Sequence, residues 1–189
     1  MSLLGGLLKV LRVLSPTSSP TRSPARPKPR TRTAPDSRPR ARTGAADDPG
    51  TPGRSGPSAT RPVDPARVGR VRMSYNPATD GNADPGEIVW TWVPYEEDDG
   101  RGKDRPVLVV AAESGGTVLA VPLTSKPHSG ADFVAVGAGG WDGQNRPSWA
   151  HVDRVLRVHP AGMRREAAAL GARPFADVQA RLRERYSWR

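Results

Sequence analysis

Arg105, Thr124, Ser125, His151 and Asp153 are the side chains whose types and positions could do chemistry. Arg105 follows an acidic run and opens an aliphatic one. Its planar fork could grip a phosphate; the ordinary alternative is a salt bridge to Glu96, Glu97, Asp98 or Asp99. Thr124 and Ser125 end an apolar run after Pro122, where hydroxyls either satisfy nearby backbone groups or orient a phosphate. His151 and Asp153 stand two residues apart in a strand-like pattern, so one strand face would carry both. An imidazole and a carboxylate side by side are either an acid–base pair or a hydrogen-bonded pair at a barrel rim.

Other chemistries lack their residues. The chain has no cysteine, which removes disulfides, thiolate nucleophiles and sulfur-ligated metals. Gly137–Gly143 is glycine-rich but does not join a strand to a helix within a βαβ unit, so it is not a dinucleotide loop. The acids Glu96–Asp99 read as a solvated loop rather than a magnesium site. His128, His151 and His159 show no metal-ligand spacing. No serine sits in a nucleophile elbow.

Short strands must hold the candidate residues in place. In Glu87–Val93 β-branched and aromatic residues alternate, putting Ile88, Trp90 and Trp92 on one face, and Pro94 ends the run. Tyr95–Asp104 is an acidic loop, and Pro106–Ala112 reads as a strand buried on both faces. Thr117–Pro122 with Leu123–Ser125, then Asp132–Val136, then one or two strands within Trp149–Val158 complete the β content. Two helices are predicted, one from Pro160 to Gly171 and one from near Pro174 that aligns Phe175, Val178, Leu182 and Tyr186. Five or six short strands with tight turns give a mainly β fold with appended helices, a small barrel rather than an open parallel sheet.

The N-terminal part differs in composition. Pro and Gly make up 41 of the 189 residues, and only 35% of residues are hydrophobic, so one core through the whole length would be thin. The formal charge of +10 lies entirely within residues 1–82; residues 83–189 carry 14 cations and 14 anions. The folded part is therefore not a globally basic nucleic-acid binder. The organisation read from this is a short amphipathic helix or untethered terminus over 1–14, a disordered Pro/Arg-rich arm and linker over 15–83, and a barrel domain over 84–189. Within the linker, Val68, Val71, Met73 and Tyr75 could form a strand or pack on the domain. Met1–Leu14 is too short to span a bilayer, which takes about 20 apolar residues, and lacks the order of a signal peptide. With the basic run behind it, it could lie on a membrane surface.

Four motifs in order, Gly86–Trp90 (GEIVW), Arg105–Val110 (RPVLVV), Val121–Ser125 (VPLTS) and Asp153–Val158 (DRVLRV), resemble successive signatures of the MazF/PemK toxins. The resemblance covers about residues 84–189. It implies an SH3-like barrel, usually a homodimer, that acts as a cytoplasmic endoribonuclease (an mRNA interferase) on single-stranded RNA. It also implies a cognate antitoxin partner, no cofactor and no metal. In this family the ribose 2′-hydroxyl attacks the adjacent phosphorus. Arg105 matches the catalytic arginine, Thr124 a phosphate-positioning threonine, and Asp153 an acid–base aspartate of some members. His151 stands where some members carry arginine and is a further catalytic candidate. Ser125, Lys126 and Lys103 are the substrate-binding candidates around them. The loop before Arg105 (YEEDDGRGKDRP) is more acidic than the family's and lacks its Ser-Glu-Gln run. The alternative reading is a catalytically silent barrel that binds nucleic acid or a protein, with the basic arm adding unspecific nucleic-acid or membrane-surface contact.

Overall fold

The computed structural model describes residues 50–78, 80–97 and 99–189. The readings of residues 1–14 and 15–49 lie outside them. The described chain is mostly β with one C-terminal helix. Its strands are β1 (Arg61–Val63), β2 (Glu87–Pro94), β3 (Gly102–Ala112), β4 (Val118–Thr124), β5 (Phe133–Gly137), β6 (Ser148–His151), β7 (Val155–Val158) and β8 (Arg164–Ala169). The helix α1 spans Ala172–Tyr186. The antiparallel order is β1-β7-β4-β3-β2-β8, and β6 leaves this path to pair with the end of β4 and with β5.

Both faces of the central strands are buried, which is why β3 reads as an unbroken apolar run. The inner face gathers aliphatic residues, mostly valine (Val89, Val93, Val107, Val109, Val118, Ala120, Leu156 and Val158), as the sheet coils toward a barrel. The outer face carries Ile88, Leu108, Val121 and Leu123 and is covered by Phe175, Val178 and Leu182 of α1. These three helix residues recur at i, i+3 and i+7, the stripe that the sequence shows. Trp141 from the glycine-rich loop plugs the same core and donates its indole hydrogen bond to Ser148 Oγ at 3.1 Å. A Cβ on Gly139 would strike that indole, so this glycine serves tryptophan packing rather than a phosphate.

The structure corrects two expectations about the fold. Pro160–Gly171 is not a helix: a single 3-10 turn at Pro160–Gly162, capped by His159 Nδ1, gives way to β8. The segment Arg164–Ala169 (RREAAA) favours helix locally. In the fold it takes the open edge of β2 instead, with a register shift between Ile88 and Val89 and a positive φ at Ala167. Tertiary pairing overrides propensity there, because an uncovered edge would leave backbone groups of the sheet unpaired.

The second concerns the described residues of 50–83, which the sequence reading placed in the arm and linker. They are part of the domain, one of the two alternatives left open for Val68, Val71, Met73 and Tyr75. β1 pairs with β7, and Val71 and Met73 are buried in the outer core. Tyr75 packs tilted against Phe175 and donates to the Leu170 carbonyl at 2.8 Å. Residues 50–60 form a strap along the end of β2 that β8 leaves free. The Pro52 carbonyl accepts from Trp92 N at 3.1 Å, and Arg54 lies over the Trp92 ring. Thr60 and Thr91 share a buried hydroxyl contact at 2.6 Å, and Thr91 donates to the Gly162 carbonyl at 2.6 Å. Gly53 fits here because a Cβ would overlap both threonine hydroxyls and the Gly162 oxygen.

Candidate active site

Register decides which candidates can meet. In β3, Arg105 pairs directly with Thr91 and lies two residues before Val107, so it shares the inner face, at the end where the buried valines stop. Val107 pairs with Pro122, and Thr124 lies two residues beyond on β4, so it points to the same side. Thr124 pairs with Trp149 of β6, and His151 follows on that face. His151 in turn pairs with Phe133 of β5. Arg105, Thr124, Trp149, His151 and Phe133 thus form one continuous surface at the barrel mouth, built from four strands.

Arg105 is half-buried. The other half-buried arginines among the described residues all have partners. Arg157 is bidentate to Glu113, Arg164 to Asp104, Arg154 donates to the Pro94 carbonyl, Arg181 faces Glu184 and Arg54 sits on Trp92. Among the described residues the Arg105 side chain has neither a hydrogen bond nor an ion pair. The anticipated salt bridges do not form with Glu96, Glu97 or Asp99; Asp99 is taken by Arg101 at 2.6 Å.

Thr124 is half-buried, and its hydroxyl accepts from Lys126 N at 3.2 Å, a turn that fixes the strand end. Ser125 is half-buried, and Lys126 and Lys103 are exposed. His151 is half-buried against the Phe133 ring, 4.4 Å between centroids at 13°. Burial pushes the His151 imidazole below its ordinary value and Arg154 acts in the same sense. The carboxylates of Glu96, Asp153 and Asp132 pull the other way without overcoming this. The imidazole is therefore neutral near pH 7 and able to accept a proton.

Asp153 departs from its expected place. β6 ends at His151 and β7 begins at Val155, so Asp153 sits in the intervening turn and not beside His151 on one strand face. The turn is tied down by Val152 N donating to the Asp132 carbonyl at 2.9 Å. Asp153 is exposed and bonded to Arg185 of α1, which also reaches Asp132 at 2.7 Å. The pair is broken because two short strands meet at a corner, and the run WAHVDRVLRV carries no glycine or proline to announce it.

The aromatic neighbours were not legible as a group. His128 lies on Phe133 at 3.7 Å and 5°, and Trp149 is half-buried on the same side. A ring in the middle of the β4–β5 connection, His128, and one just beyond it, Phe133, were the available signal. Among the described residues no three His, Asp or Glu side chains gather as a metal site would need, and no helix is long and apolar enough to cross a membrane.

This surface, with an uncommitted guanidinium, a strand-end hydroxyl and a neutral imidazole, suits a phosphodiester. No curated protein matches the chain in sequence. Among solved structures it is similar to MazF from Deinococcus radiodurans, at 19% identity and a TM-score of 0.44, over 60% of this chain and 99% of that one. The Mycobacterium tuberculosis toxin MazF-mt6 gives 18% and 0.40 over 55% and 98%, and an endoribonuclease from a mycobacterial species gives 14% and 0.41 over 57% and 94%. Likeness at that level carries no inference about activity. The family model of PemK-like, MazF-like toxins matches residues 84–185, more than half of the sequence and all of the strands that build the mouth. The chain therefore belongs to the PemK-like, MazF-like toxin family of type II toxin–antitoxin systems.

Proposed function

We propose that the protein is a metal-independent endoribonuclease that cleaves single-stranded RNA. The observation that carries this reading is Arg105: half-buried, without a partner among the described residues, and on one face with Thr124 and His151. Holding a guanidinium partly out of water with no counter-charge is unfavourable, so the site is complete only when an anion arrives.

The step is a transesterification. The 2′-oxygen attacks phosphorus, its proton passes to the neutral His151 imidazole, and the bond from phosphorus to the 5′-oxygen breaks. The departing 5′-oxygen takes a proton from water, leaving a 2′,3′-cyclic phosphate and a 5′-hydroxyl, and the resulting hydroxide takes back the proton held by His151. Arg105 holds the non-bridging oxygens as charge builds on them, and Thr124 fixes the phosphate from the neighbouring strand. Ser125, Lys126 and Lys103 bind the flanking backbone. Asp153, held by Arg185, sets the β6–β7 turn and through it the position of His151. As a toxin of a type II system it works in the cytoplasm as a homodimer and is silenced by a cognate antitoxin.

The test is digestion of a long single-stranded RNA by the full chain in EDTA, wild type beside Arg105→Ala. Discrete fragments with 5′-hydroxyl ends from the wild type alone support the reading. Cleavage that persists in the variant removes the assignment of Arg105. A second reading, a silent barrel that binds nucleic acid or protein, is favoured by the carboxylates of Glu96, Asp132 and Asp153 close to His151, which would repel a phosphate. Intact RNA with folded wild-type protein would select it.

A further inference from the structure

The proposed chemistry uses only the inner ring of a larger aromatic arrangement at the mouth. His128, Phe133 and His151 form a stack of three rings, with centroids 3.7 and 4.4 Å apart and planes within 5° and 13° of parallel. At such separations two imidazoles cannot share one face of a phenyl ring, so Phe133 is sandwiched between them. His151 is half-buried at the inner end, and His128 is exposed at the outer end. The outer face of His128 is therefore a flat ring open to solvent. It lies four residues along the chain from Thr124, with the exposed Lys126 between.

We propose that this stack is a base-binding platform, on which one unpaired base of the nucleic-acid strand lies against His128 while the adjoining phosphate sits at Arg105 and Thr124. The proposal rests on the nuclease reading for the position of the phosphate. Its own argument is geometric. Parallel rings 3.7 Å apart repeat the spacing of stacked bases, and a further base extends the series without rearrangement. Stacking tolerates any base because each has a π face. The platform stands on the sheet side that carries the uncommitted guanidinium, and its inner ring is the proposed proton acceptor. A base seated on it would register the ribose against the catalytic groups. The occupant is a single strand rather than a duplex, because only an unpaired base can present its face to a side chain.

The experiment measures binding of the full chain to a short DNA strand, which lacks the 2′-hydroxyl and so stays uncut. Each nucleotide in turn is replaced by an abasic residue. The wild type should lose about tenfold in affinity at one position. His128→Ala should weaken the intact strand by a similar factor, and the sensitive abasic position should then cost nothing further, as expected when two changes remove one contact. His128→Trp should restore binding. Affinity in His128→Ala within about twofold of wild type, or losses that simply add, would overturn the platform. RNA cleavage lost in Arg105→Ala alongside such a result would leave the nuclease reading standing and the platform refuted. Failure of the wild type to bind any single strand would overturn both.

Discussion

Arg105 and Arg164 lie close in the sheet, on strands either side of β2, yet they live in opposite regimes. Arg164 is on the outer face. It makes two bonds to Asp104, at 2.6 and 3.2 Å, and lies over the Trp90 ring. Arg105 is on the inner face one residue after Asp104 and touches no acid among the described residues. Alternation along β3 separates them: Asp104 is turned outward to a structural arginine, so the arginine beside it is left without that carboxylate. Two side chains of one type thus do different work because a strand sends neighbours to opposite faces.

The largest effect that tests this contrast is on Arg105→Ala. If the proposed role holds, losing this charge should lower cleavage by about a hundred- to a thousandfold, with the melting temperature unchanged or raised. A variant that unfolds instead would place Arg105 with the structural arginines. Next comes Thr91→Val, directly across from Arg105 but facing inward to Gly162 and Thr60. It leaves a buried carbonyl short of its donor and should cost about 1–3 kcal/mol, read as a lower urea midpoint at constant slope. A drop in cleavage per folded molecule beyond about tenfold would show that strap and mouth are coupled. Arg164→Ala is smaller. Its pair is only partly shielded, so about 1 kcal/mol is expected, with cleavage per folded molecule unaltered.

The smallest effect concerns His151. Its folded pKa lies below the unfolded one, so between the two the unfolded chain binds more protons. Stability is then complete above about pH 6.5 and declines as pH falls below it. The groups facing the ring are Glu96 from the β2–β3 loop, Asp132 from the β4–β5 loop, and Asp153 and Arg154 from the β6–β7 turn. His151→Gln should flatten that part of the pH–stability curve. An unchanged slope would assign it to the acids instead.

The central strands could be read directly from sequence because their alternation and their β-branched residues follow burial. β8 could not: an alanine-rich segment carries no strand period, and its conformation is imposed by the free edge of β2. The strap of residues 50–60 escaped for a related reason. Its Pro, Gly, Ser and Arg composition matches a linker, and what holds it are backbone bonds, one hydroxyl contact and a cation over a ring. Within the candidate site, the strand placement of Arg105 and Thr124 followed from the apolar runs beside them. The relation of His151 to Asp153 did not, because a turn without glycine or proline separates them.

The pairing of β1 with β7 joins Arg61 to Arg157 across most of the described chain. Closing so long a loop gives nothing until its last strand is in place, which points to slow folding with the strap docking late. An element that docks after the folding barrier has little influence on how fast the protein folds and much on how long it survives, since weakening it speeds unfolding. The amides of Thr60 and Trp92, bonded to Gly53 and Pro52, would then exchange with solvent through local release of the strap while the valine barrel stays closed. For a toxin, that makes this short, unassuming stretch a natural place for persistence in the cell to be set.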